Sequence, residues 1–552
     1  MELGRIAIAR SISRAVRYLL SMGLLHYRLL LYALSGVSEL ADIVTRVIEE
    51  RQDKDGSFYQ SGYGRILLTA DIFRTLSLIR GYKPAKRIMI HCINFLREAQ
   101  LDNGLWMDYD VKLDYYRLVN DRGIAFRITL AIIEGLKNLG LDDEILANAS
   151  KALLSFQEPQ GYWRGTFLKE DMWDIEVTAR ALRILGPSMK EDRRKRAISL
   201  IKDWLIASLK MQRVDQPWAL AEVLEALLVY HAISDEELSR SVYLLLDMQK
   251  PNGSWGILES NPRLTISNLL LLTKVGGLRL LEESVRTIAR VKLKIMEVIK
   301  RNQRPWEEEL KEELSLCGTR HRLEGIEDAT KCALLRTFIW AYEESIKNRE
   351  EKVPDEELPI RLFAKYLRNY EFHLLEEHAE SLAKFALEEV SPYSTRYRNI
   401  GVLLRLVKEK AWEDDPIEVI KRSLILFPYL TIKAADYYVY SIHLLNLFPI
   451  PKHFIKQVLP PADNDLLLVL RKLGLISTPI SIALKDYNLV RVEVHGIALE
   501  LFNSAPYKLH LLSLVARRWC RSNTRCFKLT RSGYIRCPLY EACPSRRNIY
   551  EG

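Results

Sequence analysis

Cysteine is scarce, with seven in 552 residues. That excludes a disulfide-dense secreted scaffold. Glutamine is scarce too, with ten in all. Long apolar runs are absent. The most apolar early stretch, residues 18–37, is broken by His26 and Arg28, which argues against a spanning helix. The first residues, Met1-Glu2-Leu3-Gly4-Arg5, carry no signal-peptide pattern. A large excess of one charge is also missing: 81 Lys and Arg face 71 Asp and Glu, a net +10. Such a balance permits an anionic partner without requiring one. What remains is 48% hydrophobic and 28% charged, a balance that excludes a disordered or collagen-like chain. The length suits two to four domains. A cytoplasmic protein with no integral membrane segment is expected. Few Gln and many charges point to a thermophilic source.

The seven cysteines and ten glutamines are unevenly placed. Five glutamines open a similar phrase. Gln52 leads to Gly56 and Phe58, Gln100 to Gly104 and Trp106, Gln157 to Gly161 and Trp163, and Gln249 to Gly253 and Trp255. Gln212 leads to Trp218 without the Gly. A Gly after a helix end suits a left-handed turn, and the Asn, Asp and Pro before it form turns. Helix-period runs follow each aromatic. Each phrase therefore joins two helices that must stack on their neighbours.

These phrases resemble the QW repeat of the terpene cyclase and protein prenyltransferase superfamily, over about residues 1–300. The resemblance implies an α/α toroid around a cavity that could hold a ligand or a protein partner. One branch of that superfamily protonates its substrate from an Asp-x-Asp-Asp motif. The nearest stretch here is Asp174-Ile175-Glu176-Val177, which makes Asp174 and Glu176 the toroid-cavity candidates. The motif keeps its first Asp, has Glu in the middle and loses the last. As bare residues, the two suit an acidic first turn of a helix. Cys92 beside His91 reads as a buried structural thiol, and Asp108-Tyr109-Asp110 as a solvated turn.

From Lys292 to Glu313 the chain is strongly charged and reads as a solvated helix or boundary. A loop is expected from Asn348 to Glu357, around Pro354. Beyond it the chain reads as helical again. Three blocks resemble the helix-hairpin-helix DNA glycosylases of the endonuclease III type. They are Ser391 to Ile400, Phe427 to Ala435 and Phe448 to Lys456. The resemblance implies base flipping and cleavage of a glycosidic bond, with Lys433 as amine nucleophile. It implies DNA contacts at Arg396, Arg398, Thr431, Lys433 and His453. Tyr429 and Thr431 stand where that family has glycine. Pro451 stands where it has its catalytic Asp, so weak catalysis is expected. Asp436 is the nearest substitute carboxylate, three residues after Lys433; Asp463 and Asp465 are others.

Cys520, Cys526, Cys537 and Cys543 close the chain with spacing C-x5-C-x10-C-x5-C. Four clustered thiols in a cytosolic chain point to metal. A [4Fe–4S] cluster and a four-thiolate zinc site both fit the count, and the glycosylase resemblance favours the cluster. Between Arg517 and Arg547 nine Lys or Arg face one acid, Glu541. That is a footprint for phosphate backbones, with Arg517, Arg518, Arg521 and Arg525 as DNA contacts. The expectation is thus an all-α protein of three parts. Residues 1–305 form the toroid, 306–515 the glycosylase-like domain, and 516–552 the cysteine loop. The leading functional expectation is DNA binding. The alternatives are an isoprenoid enzyme in the toroid cavity and a protein-interaction scaffold.

Overall fold

In this computed structural model the described residues are 2–319, apart from 23, 60–63, 109–121, 143, 165–173, 213, 215–217 and 257–260. Further on they are 417, 421, 432–445, 452–476, 478, 487–520, 526–530 and 533–545. The chain divides into two compact units, Met1–Arg290 and Val291–Gly552.

Among the described residues the elements of unit 1 are all helices. Its first six helices are α1 (Glu2–Ser21), α2 (Leu25–Leu34), α3 (Ser38–Glu49), α4 (Arg65–Ser77), α5 (Lys86–Glu98) and α6 (Arg122–Leu139). The next six are α7 (Glu144–Ser155), α8 (Ile175–Leu185), α9 (Glu191–Met211), α10 (Leu220–Val229), α11 (Asp235–Asp247) and α12 (Pro262–Gly276). The even-numbered helices pack in sequence, α2 on α4, then α6, α8, α10 and α12. Helix α1 closes the circle by packing on both α12 and α2. Burial pattern decides which helices lie inside. Helix α8 buries nine residues around most of its circumference, from Ile175 to Leu185, and α10 does likewise. Helix α7 buries only Leu146, Ala149 and Leu153, a single stripe. A helix that is apolar all round belongs inside, and one with a stripe belongs outside. Unit 1 is therefore an α/α toroid.

Four of the five glutamine phrases share one geometry. Gln52, Gln100, Gln157 and Gln249 each donate from Nε2 to the carbonyl of the Gly four residues on, at 2.8–3.0 Å. Three of them donate again to an outer helix of the next hairpin: Gln52 to Ile88 O, Gln100 to Ile145 O and Gln249 to Ser11 O. The last bond, to α1, closes the ring. The aromatic of each phrase donates its backbone N–H to a Thr hydroxyl on the next inner helix. The pairs are Phe58 with Thr69, Trp106 with Thr129, Trp163 with Thr178, and Trp255 with Thr265. Each Trp indole also donates to a carbonyl ten residues back. At the seam a Cβ on Gly253 would stand 2.3 Å from Arg14 O, and its φ is +92°. Gly is thus required there by both conformation and close approach. In the fifth phrase Gln212 itself takes the left-handed position at the end of α9, with φ 50°.

Helix α13 runs from Leu278 to Thr319 with Pro305 inside it. It includes the charged stretch expected to be solvated or a boundary. Lys292 departs from that expectation: it is fully buried against Glu500. In unit 2, α14 (Ile432–Leu444), α15 (Asn464–Lys472) and α16 (Tyr487–Leu501) bury Val439, Leu470 and Val494 among others. A short α17 (Leu512–Val515) follows. The strands β1 (Phe527–Thr530) and β2 (Gly533–Arg536) then form an antiparallel hairpin, with Phe527 opposite Arg536. Among the described residues, unit 2 thus adds a hairpin to a set of helices. The expected blocks Ser391 to Ile400 and Phe427 to Thr431 lie outside the described residues.

Candidate functional site

The toroid's inner face carries buried charge. Helix α8 begins at Asp174, whose Oδ1 accepts from Val177 N at 3.0 Å and caps the helix. Its other oxygen accepts from Arg127 of α6 at 2.5 Å. The same guanidinium donates from Nε to Glu176 Oε2 at 3.0 Å. Two carboxylates therefore share one cation, and their protons are held differently. Burial pushes Asp174 up to about 6, against the pull of Arg127 and helped by the charge of Glu176. Burial acts on Glu176 in the same sense, but Arg127, Arg263 and Arg180 outweigh it and hold Glu176 below the usual range. The Asp174 side chain is 1% exposed and that of Glu176 17%, so Glu176 is the one a ligand can meet.

Further charges extend around the ring. Asp71 of α4 accepts from Tyr27 Oη at 2.7 Å and stands 3.5 Å from His26 Nε2. Burial would raise Asp71, yet His26, Arg263 and Arg74 hold it far below the usual carboxylate range. Glu134 of α6 accepts from Arg180 at 3.0 Å and Arg183 at 2.8 Å, with Arg74 at 3.5 Å. Arg183 also donates to Glu222 at 3.0 Å, and Lys274 of α12 donates to Glu225 at 2.6 Å. Buried charges need such partners, because an unpaired one costs several kcal/mol.

Sequence reading singled out Asp174 and Glu176 but none of these others. The available signal was a charged residue inside an apolar helical run, as with Asp71 and Arg74 between Leu67 and Leu76. Asp108 was expected in a solvated turn. It is buried instead, because its Oδ2 accepts from Leu67 N at the start of α4. Asp110 lies outside the described residues. Cys92 is fully buried, and burial pushes its thiol up.

In unit 2, Lys433 lies on α14 with its Nζ 6.0 Å from the Tyr487 ring centre. Asp436 is fully buried. It is paired with Lys421 at 2.7 Å and accepts from Arg491 at 2.6 Å and Tyr487 at 3.2 Å. His495 is 3.9 Å away. Burial is again the largest influence and is outweighed, here by Lys421, His495 and Arg491, so Asp436 is held below its usual range. Arg517 pairs with Asp465 at 2.9 Å and Arg518 with Glu309. His453 lies in the turn Lys452–Gln457, and its side chain is not described. Arg396, Arg398, Thr431, Arg521 and Arg525 lie outside the described residues, as does Pro451.

The hairpin register places Cys526 directly opposite Cys537, and Cys537 N donates to Cys526 O at 2.9 Å. Lys472, the last residue of α15, holds the other two. Its Nζ donates to Cys520 O at 2.9 Å, and its carbonyl accepts from Cys543 Sγ at 3.7 Å. Burial pushes Cys520 up to about 11 and Cys537 up to about 12, and neighbouring thiols add to both. Thiolates are the donor type that zinc and iron–sulfur clusters take. Among the described residues, no three His, Cys, Asp or Glu side chains are gathered as a cation-holding group. No helix of the described residues is long and apolar enough to cross a membrane.

No family model and no curated protein matches the chain. Among solved structures it is similar to a protein from Actinoplanes at 17% identity and TM-score 0.36, covering 50% of this chain and 99% of that one. It is also similar to the type II terpene cyclase MstE from Scytonema, at 15% identity and TM-score 0.35, covering 49% and 99%. A variant of that cyclase in complex with its substrate, geranylgeranyl dihydroxybenzoate, matches at 15% identity and TM-score 0.35, covering 52% and 99%. Likeness at these values carries no weight for function, and unit 1 is a toroid by its own packing.

Proposed function

We propose that unit 1 is an acid–base enzyme of isoprenoid type, working on the inner face of the toroid. The observation that carries this reading is the pair Asp174 and Glu176 on the single guanidinium of Arg127, one pushed up to about 6 and the other held down. Neighbouring carboxylates whose environments push them apart divide into proton holder and proton acceptor. Asp174, sealed from solvent, stores the proton. Glu176 is the more exposed and relays it to a substrate alkene. The alkene π pair forms the new C–H bond, and the cation left on the adjacent carbon is attacked by a second double bond of the same chain. The product cation then loses a proton to Glu176, which hands it back to Asp174, so acid and base end as they began. The isoprenoid class rests on the glutamine repeat. The test is product formation from linear polyprenyl compounds by the full chain. Glu176→Gln and Asp174→Asn are each expected to lower turnover by about 10²–10⁴. Undiminished turnover in both contradicts the reading.

A second reading keeps the cysteine tail as a metal-closed DNA contact, supported by Cys526 facing Cys537 across the hairpin and by the bonds of Lys472 to Cys520 and Cys543. Cys520, Cys526, Cys537 and Cys543 would hold a [4Fe–4S] cluster or zinc, which when bound would fix the surrounding Arg and Lys in one geometry. Salt-sensitive DNA binding that is lost in Cys537→Ser, with iron or zinc in the purified protein, supports it. DNA affinity no better than that of a neutral protein removes it.

A further inference from the structure

In unit 2 one buried carboxylate carries two cations. Lys421 Nζ stands 2.7 Å from Asp436 Oδ1. Arg491 donates to the same carboxylate from Nε at 2.6 Å and from Nη2 at 3.3 Å. Tyr487 Oη donates to it at 3.2 Å, and burial raises the Tyr487 pKa, so this partner is neutral. His495 lies 3.9 Å away. Burial brings its pKa down to about 3, against the pull of Asp436 and with the push of Arg491 and Lys421. It adds no charge near neutral pH. The cluster thus sets two positive charges against one negative. Lys292, another buried lysine of unit 2, has a carboxylate of its own in Glu500. An unbalanced charge held away from water is costly, and a counter-ion relieves it.

The geometry shows where that counter-ion belongs. Asp436 is fully buried and Lys421 is 7% exposed, whereas Arg491 is 23% exposed. Arg491 is therefore the member of the cluster that meets solvent. Its Nε edge is spent on Asp436. Nη1 donates to no group among the described residues, so the outer edge of the fork stays open. The fork is also held still. Tyr487, one turn before Arg491 on α16, binds the same Asp436 of α14 and accepts from Ala462 N at 3.3 Å.

We infer that Arg491 and Lys421 form an anion site in unit 2 that takes a phosphate group, carried either by a small phosphorylated molecule or by a nucleic-acid backbone. The open edge of the guanidinium matches two phosphate oxygens bidentately. The other oxygens stay in water, which suits a partly open site; a carboxylate has none to spare. Arg491 makes the contact, and Lys421 supplies the positive charge behind it. Asp436 opposes the anion but fixes the fork, so binding is modest and falls with salt. The site is independent of the carboxylate pair in unit 1 and of the cysteine loop.

The experiment is calorimetric titration of the full chain with inorganic phosphate and, separately, with a short single-stranded oligonucleotide, at constant low ionic strength. Phosphate binding is expected, weakened about tenfold or more by Arg491→Gln. That variant leaves Lys421 paired with Asp436, so the buried charges balance and the fold should hold. Should it fail to fold, Arg491→Lys serves, keeping the charge but losing the fork, with a smaller loss. Arg279→Gln, on an exposed residue that pairs with Glu283, should leave binding unchanged. Oligonucleotide binding weakened in the same Arg491 variant identifies a backbone phosphate. Oligonucleotide binding unchanged beside weakened phosphate binding identifies a small phosphorylated ligand. No phosphate binding, or equal binding by wild type and the Arg491 variant, overturns the inference. So does an equal loss in Arg279→Gln, or acetate bound as tightly as phosphate.

Discussion

Gly253 and Asp174 show how single residues constrain this chain. A Cβ at Gly253 would stand 2.3 Å from a backbone carbonyl that cannot swing away, and its φ is left-handed. Gly253→Ala should therefore cost about 2 kcal/mol or more, read as a lower urea midpoint. At Gly81 a Cβ meets nothing within 4 Å, so Gly81→Ala should leave the midpoint nearly unchanged. Asp174 gives a pH signature. Its folded pKa of about 6 lies above its ordinary 3.8. The native state thus binds this proton more tightly than the unfolded chain. That contribution is fully present below about pH 4 and is lost as pH rises through 6. Asp174→Asn keeps a helix-capping side chain and removes the titration. Wild type should lose about 2–3 kcal/mol relative to this variant between pH 4 and 7, seen in paired denaturant melts. A difference that stays flat with pH would show that Asp174 is ionised throughout.

The hairpin is the element that repeats, and its chemistry is shared among four residue types. Three were legible in the sequence. Gln, Gly and the aromatic sit at fixed offsets, because one tight turn holds all three. The fourth, the Thr that accepts the aromatic N–H, comes 11, 23, 15 and 10 residues after its aromatic. The loops between differ in length, so no regular spacing marks it. The glutamines also differ in weight. Gln249 joins the last phrase to α1 through Ser11 O and is buried, whereas Gln212 is exposed. Gln249→Leu strands the Gly253 carbonyl and removes the bond to Ser11 O, and should cost about 1–3 kcal/mol. Gln212→Leu should cost less than about 0.5 kcal/mol. Equal losses in thermal melts would mean that the Gln249 bonds do not hold the ring closed.

At the scale of the whole molecule the sequence told least, because its charges meet only after folding. Arg127 is 47 residues from Asp174, and Lys292 is 208 from Glu500. No local pattern links such pairs, although Arg127 and Glu500 are charges placed in apolar helical runs. Lys292 and Glu500 are 1% and 0% exposed, so Glu500→Ala leaves a buried ammonium and should cost about 3–5 kcal/mol of stability. The sequence shows the cysteine spacing but not that Cys526 faces Cys537 across a hairpin. The reach of Arg263 across the ring could be seen only in the folded toroid. The central claim, that proton transfer by Asp174 and Glu176 occurs inside that ring, is tested most directly by one measurement. Purified full-length protein is incubated with linear polyprenyl compounds of graded length, and products are followed by mass spectrometry. The account predicts a cyclised or isomerised product from wild type, falling by about 10²–10⁴ in Glu176→Gln and in Asp174→Asn. No product from any of these compounds, or product formed equally by both variants, would contradict it.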